Sequence, residues 1–325
     1  MRSGRVPKIS LLLLLIPGFV SCATETLRDS AERLKIGEQD PVTFDYTGLV
    51  FDQHPDSRSV RLNLSNWVEE TKLHAKETIE GISGYHDGPV NTCAYLFYEP
   101  VAGRALIIGA GLAMASKSAS KDEARGVQRK AVRTVNEFAR HLHVAATTVE
   151  PKVEQPFHAE LSKLVRVDIT RDQVVFDLPD LPTPEARTFL FQTVWGKVCE
   201  TDVMTSEALK RIESKAGWPD GNVYGEKLDS GAGRILVHSP DIEFQRSMIP
   251  KLQKLYAEGR TSGGNLARLT DTVAYWSGKK LVYGTKFRCG PDGIIFAPVE
   301  DPDNLGIRRA SLGLDSVEKM ADICK

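Results

Sequence analysis

The sequence is short of the features that most often disclose a function. It carries no excess of charge of either sign, with 42 Lys and Arg against 43 Asp and Glu and a formal net charge of −1. That balance removes the electrostatic argument for nucleic acid or for an anionic surface. None of its five cysteines is spaced C-x-x-C, so neither a zinc knuckle nor a thioredoxin-like centre is expected. There is no G-x-S-x-G, no H-E-x-x-H and no P-loop. Gly109-Ala110-Gly111 and Gly231-Ala232-Gly233 begin like dinucleotide fingerprints. Met114 and Leu236 stand where the third glycine belongs, and small-residue packing is the better reading of both. Asp301-Pro302-Asp303-Asn304 imitates an EF-hand start, but Leu305 and Leu312 occupy ligand positions. His141 and His143 are two apart, which on a helix points them to different faces. No metal, no cofactor and no nucleic-acid partner is expected.

What is present begins with a leader. Arg2, Arg5 and Lys8 precede an apolar run from Ile9 to Val20, shorter than the roughly 20 residues that span a bilayer. This is the pattern of a signal peptide. Phe19-Val20-Ser21-Cys22 resembles a lipobox, with Phe19 in place of the usual leucine, and makes Cys22 the candidate lipidation residue. Cleavage after Ala23 is the competing reading. Acylation of Cys22 would anchor the chain to a membrane, since each buried CH₂ contributes about 0.8 kcal/mol. The cell envelope follows as the expected location, with the outer membrane or periplasmic face favoured by Ala23 after the cysteine. Cys93, Cys199, Cys289 and Cys324 remain, an even set in an oxidising compartment. Three pairings are open, with buried free thiols as the alternative.

Composition and length fit two globular units behind the anchor. Residues 1–22 read as the leader and 23–41 as a polar tether. Residues 42–150 read as a mixed α/β N-terminal domain. Val42-Phe44-Tyr46 and Val60-Leu62-Leu64 alternate as in half-buried strands, Asn66 to Glu80 has helical apolar spacing, and Cys93 to Tyr98 reads as a strand. Val127, Ala131, Val135, Phe138 and Leu142 line one face of a helix over 120–143, whose basic residues form a solvated face. Residues 144–157 read as a linker.

The unit from 158 to 324 reads as mainly helical. Thr183-Pro184 opens a helix that Gly217 closes, Ser239-Pro240 opens another ended by Gly259, and Leu266 to Trp276 forms a third stopped by Gly278. The period then falls to two around Gly290-Pro291-Asp292-Gly293, which predicts a closing β-hairpin. The fold class expected is therefore α+β, a mixed domain followed by a mainly helical one.

An ordered set of elements runs through this second unit. It comprises Asp168-Ile169-Thr170-Arg171, Asp202, Ala208 to Ile212, Gly217-Trp218-Pro219, Val223-Tyr224-Gly225, His238 with Asp241, and Phe244-Gln245. Leu269-Thr270-Asp271, Tyr283-Gly284-Thr285, Pro298 to Pro302, Arg308-Arg309 and Gly313-Leu314 complete it. In this order they resemble the DUF6624 family, mostly bacterial domains of unknown function, over about 158–324. Val237, Thr272, Leu281 and Lys286 depart from polar residues usual in that pattern. The resemblance implies a fold boundary and a residue list, not a reaction.

Its ionisable members nominate His238, Asp241, Asp271 and Arg308 as candidate catalytic residues, with Arg309 and Tyr283 as candidate binding residues. Histidine exchanges a proton near neutrality, a carboxylate orients it, and an arginine fork holds an anion. The structural alternative pairs Arg308 with Asp271 and makes His238 a helix cap. Two functions are compatible with these readings. One is a non-catalytic envelope lipoprotein that binds an unknown protein or small anionic ligand, and the other an envelope hydrolase using the His/Asp/Arg set.

Overall fold

The computed structural model describes residues 58–83, 92–149, 154–176, 178–291 and 293–324. The leader, Cys22, the tether and the Val42-Phe44-Tyr46 strand lie outside them. Helices dominate throughout. The N-terminal part consists of α1 (Arg58–Ser83), α2 (Thr92–Tyr98), α3 (Pro100–Lys117) and α4 (Lys121–Thr147).

Two segments expected to be strands are therefore helical. Val60-Leu62-Leu64 sits in α1, where Val68, Ala75 and Ile79 are all buried at 1% exposure. Their spacing of seven and four residues is the helical period, and it outweighs three alternating positions. Leu73, expected among the apolar contributors, is 61% exposed. The run Cys93 to Tyr98 belongs to α2, and Cys93, Ala94 and Tyr95 are buried in succession, which one face of a strand does not allow. Glu99-Pro100 ends this helix, because the residue before a proline is pushed out of the helical region. Pro100 then opens α3. The mixed α/β character expected here is replaced, among the described residues, by helix alone.

The helix expected over 120–143 is α4. Ser120 accepts from the Glu123 N–H at 3.1 Å and Glu123 accepts from the Ala119 N–H at 2.6 Å, a reciprocal cap. Val127, Ala131 and Phe138 are buried, while Arg125, Arg129, Lys130, Arg133 and Arg140 are exposed.

Next come α5 (His158–Phe176), α6 (Pro184–Ala216), α7 (Gly221–Tyr224), α8 (Glu226–His238), α9 (Ile242–Ala257) and α10 (Gly263–Trp276). The caps follow the sequence closely. Thr183 accepts from the Ala186 N–H at 3.1 Å, and Gly217, Gly259 and Gly278 have φ of 77°, 67° and 65°. Asp241, rather than Ser239, caps α9. Strands β1 (Phe287–Gly290) and β2 (Gly293–Phe296) pair antiparallel with Gly290 opposite Gly293, the turn expected. Residues 281–285 are not part of that hairpin. After it lie α11 (Leu305–Ser311) and α12 (Val317–Ala321).

The 33-residue α6 runs about 50 Å and joins two cores. Phe189, Leu190, Val194 and Val198 from its first half pack with Met114 of α3 and Val127 and Phe138 of α4. Leu209 and Ile212 from its second half pack with Leu161 and Val165 of α5, Ile235 and Leu236 of α8, Met248 of α9 and Leu269 of α10. Each fully buried Leu or Ile contributes about 1.5–3 kcal/mol. Cys93–Cys199 ties α2 to α6, and Cys289–Cys324 ties β1 to the last turn.

Candidate functional site

Two glycines of α8 set the site. A Cβ at Gly231 would stand 2.4 Å from Val165 of α5, and one at Gly233 would stand 2.2 Å from Asn265 of α10. Only glycine lets α8 sit this close to both helices at once. The small-residue reading of Gly231-Ala232-Gly233 thus holds, and the contacts have a consequence one turn further on. Asp168 follows Val165 by three residues, and Arg234 and His238 follow Gly231 by three and seven. These three side chains consequently meet across the α5–α8 seam.

Asp168 is 1% exposed and accepts from Arg234 Nε at 2.9 Å on Oδ2. Its Oδ1 lies 2.7 Å from His238 Nδ1. His238 Nε2 is 3.8 Å from Asp172 Oδ1, with the two side chains 20% and 30% exposed. Arg171 completes the set from the same face of α5. Its Nη1 donates to Asp172 at 2.7 Å, and its Nε and Nη2 donate to the two oxygens of buried Asp202 at 2.8 and 2.7 Å. The Arg171 guanidinium also lies 5.5 Å from the centre of the Trp195 ring. Asp168, Asp172 and His238 bring three ligand atoms within 4.8 Å of one another. Both carboxylates, however, already meet arginines, so their charge is satisfied without an ion.

Of the residues nominated from sequence, only His238 lies in this cluster. Asp241 caps α9 through the Glu243 and Phe244 N–H groups and pairs with Lys210 at 2.6 Å. Burial pushes its carboxyl up, but Lys210 and those N–H donors more than offset this and hold it below the usual range. The Tyr98 hydroxyl of α2 touches the same carboxylate at 3.4 Å and is pushed up to about 12 by burial and by Asp241.

Asp271 is fully buried and accepts from the N–H groups of Val282, Tyr283 and Thr285 at 2.8, 3.0 and 2.7 Å. Arg308 donates to the Val282 carbonyl at 2.8 Å and to those of Glu300 and Asp301. Arg309 donates to the carbonyls of Tyr283 and Asp315 at 2.7 and 2.8 Å. Tyr283 itself packs half-buried against the C-terminal core. Asp271, Arg308 and Arg309 pin the 281–285 segment, and Arg308 does not pair with Asp271. Asp271→Ala would strand three backbone N–H donors at about 1–3 kcal/mol each. We expect it to lose at least about 3 kcal/mol in urea unfolding, while a loss under about 1 kcal/mol would contradict the anchoring role.

Sequence reasoning did not single out Asp172, Arg234 and Arg268. Their signal lay in helical spacing: Asp168, Arg171 and Asp172 at i, i+3 and i+4, and Arg234 with His238 at i, i+4. Beside Arg234, Arg268 of α10 donates to Asn265 at 2.9 Å. Burial, then the neighbouring Arg234, holds its guanidinium below the usual range. Burial likewise lowers the Lys286 ammonium, which Asp271 opposes and Arg268 and Arg171 reinforce.

Among the described residues no helix is long and apolar enough to cross a membrane. No curated protein and no solved structure matches the chain. A family model does match, that of DUF6624, a family of unknown function, over residues 190–324. The match begins inside α6, later than the boundary near 158, and leaves Asp168, Arg171 and Asp172 of α5 outside it. Residues 190–324, the part of the chain that is similar to DUF6624, contain His238, Asp202, Arg234, Arg268 and Lys286.

Proposed function

We propose that the protein is an exported envelope lipoprotein, anchored through Cys22, that binds a small ligand at a polar site centred on His238. The leader and lipobox support the anchor, and the Cys93–Cys199 and Cys289–Cys324 bonds fit an oxidising compartment. The observation that carries the site is the state of the His238 ring. Asp168 takes Nδ1 at 2.7 Å, which orients the imidazole and fixes its tautomer, while Nε2 stays open beside half-exposed Asp172. A histidine kept only to fill a core would have no such open edge.

The same geometry favours hydrolysis as a second reading. A carboxylate-oriented imidazole with one free nitrogen has the parts of a general base for water. Here the orienting group is Asp168, and the sequence-nominated Asp241, Asp271 and Arg308 are occupied in capping and in holding the 281–285 segment.

Labelling cells with a radioactive fatty acid tests the anchor: label is expected in the wild type and absent in Cys22→Ser. For the site, ligands found by thermal shift on the full chain are expected to bind His238→Gln at least about tenfold more weakly, about 1.4 kcal/mol, with unchanged circular dichroism. Equal affinity for both chains would move the site elsewhere. Turnover of p-nitrophenyl esters or phosphates by the wild type, lost in His238→Gln, would select hydrolysis over simple binding.

A further inference from the structure

We infer that Arg234, Arg268 and Lys286 form a receptor for a phosphate group, at the seam between α8, α10 and the segment entering β1. The inference rests on the polar cluster around His238 being a ligand site, and it names the ligand's chemistry.

The carrying observation is a set of hydrogen-bond donors without acceptors. Arg234 spends Nε on Asp168, but its Nη2 is buried with no partner among the described residues. Arg268 spends one Nη on Asn265, and its buried Nε has no partner. Lys286 forms no ion pair or side-chain hydrogen bond among the described residues, and the buried hydroxyl of Thr285 beside it is also unpartnered. Buried donors are almost always satisfied in folded proteins, so the spare donors of Arg234 and Arg268, with the partly buried Lys286 ammonium, call for an acceptor.

Proximity makes the need sharper. Arg234 lies close enough to Arg268 to depress it, and Arg268 and Arg171 both depress Lys286. Arginine cannot relieve such repulsion by losing its proton. The local carboxylates offset it only in part: Asp168 pairs with Arg234, Asp229 acts on Arg268 and Asp271 on Lys286, but none of them hydrogen-bonds the spare donors. Asp168, Asp172 and Asp202 are taken by Arg234, His238 and Arg171, and Asp271 by three backbone N–H groups. The close approach of α8 to α10 at Gly233 and Asn265 nevertheless forces the two arginines together. A fold that sets cations side by side against their mutual repulsion is built to receive an anion.

The donor set selects the kind of anion. A carboxylate offers two oxygens and one charge. A phosphate monoester offers three terminal oxygens and a charge near −2, which matches three separate cationic arms. His238 is joined to Arg234 through Asp168, whose two oxygens meet the two side chains.

Calorimetry with the detergent-solubilised full chain tests this, using inorganic phosphate with acetate as the control anion. One phosphate per chain is expected, bound more tightly than acetate, and weakened at least about tenfold in Arg268→Gln and in Lys286→Met, about 1.4 kcal/mol each. Lys286→Arg, which keeps the charge, is expected to retain most of the binding. Phosphatidic acid bicelles that bind in place of phosphate, and lose binding in Arg268→Gln, would assign the group to a lipid headgroup. No response to them would assign it to a soluble phosphate compound. Absence of phosphate binding to the wild type, or equal binding by all variants, overturns the inference.

Thermal unfolding without ligand supplies a second reading that survives a silent titration. Lys286→Met is expected to leave the melting temperature unchanged or raise it, because a partly buried cation without an ion-pair partner is removed. A marked fall would make Lys286 a structural partner and end the proposal. Phosphate binding kept in His238→Gln but lost in Arg268→Gln would leave this inference standing while the His238-centred reading failed.

Discussion

Arg171→Met is expected to lower the stability of the folded chain by about 3–5 kcal/mol, the cost of breaking a buried ion pair from one side. The guanidinium gives two parallel bonds of 2.8 and 2.7 Å to Asp202, whose side chain is 2% exposed, and a third of 2.7 Å to Asp172. Burial pushes the Asp202 carboxyl up, and Arg171 is the chief group opposing that push. Without it the carboxylate is stranded, and protonation becomes the cheaper state. The sign of the pH dependence follows. With its folded value raised above the unfolded one, Asp202 weakens the variant as pH rises through the folded value, and stability is regained as pH falls toward the unfolded value. Urea unfolding at several pH values measures this. Arg171→Met/Asp202→Leu should recover much of the loss, because the uncompensated charge is gone. A single variant as stable as the wild type would show that the pair contributes nothing to the fold.

The second large effect is expected from the disulfides. Cys93–Cys199 closes a loop of 106 residues and Cys289–Cys324 one of 35. Chain entropy assigns the longer loop about 4–5 kcal/mol and the shorter one about 3–4 kcal/mol. The double variant Cys93→Ser/Cys199→Ser should therefore unfold at lower urea than Cys289→Ser/Cys324→Ser. It should also be cut sooner by protease near α2, because the bond is the covalent tie between that helix and α6. The reverse order of stability would mean that native packing, not loop length, governs these bonds.

Local physics made the second half of the chain legible and misled in the first. Thr183-Pro184, Gly217, Gly259 and Gly278 punctuate helices because capping and positive φ are decided within a few residues. The Gly290–Gly293 turn is local in the same sense. In the first half, Val60-Leu62-Leu64 and Cys93 to Tyr98 are strand-like in composition, yet they are helical because α1 and α2 find apolar partners at helical spacing. Nothing within six residues records that.

The site was harder to read, for a related reason. Asp271, Arg308 and Arg309 carry the charges of a catalytic set, but their side chains satisfy backbone groups around 281–285. A carboxylate that holds a loop and one that moves a proton look alike in a sequence.

The order of residues alone determined where most helices of the C-terminal half stop and which turn the hairpin uses, since each depends on neighbours along the chain. Tertiary packing decided which cysteines join and which of many charged side chains share a site. The approach of α5 and α10 to α8 at Gly231 and Gly233 brings Asp168, Arg234, His238 and Arg268 into one neighbourhood. Those partners lie up to 100 positions apart, and only the closeness of three packed helices makes neighbours of them.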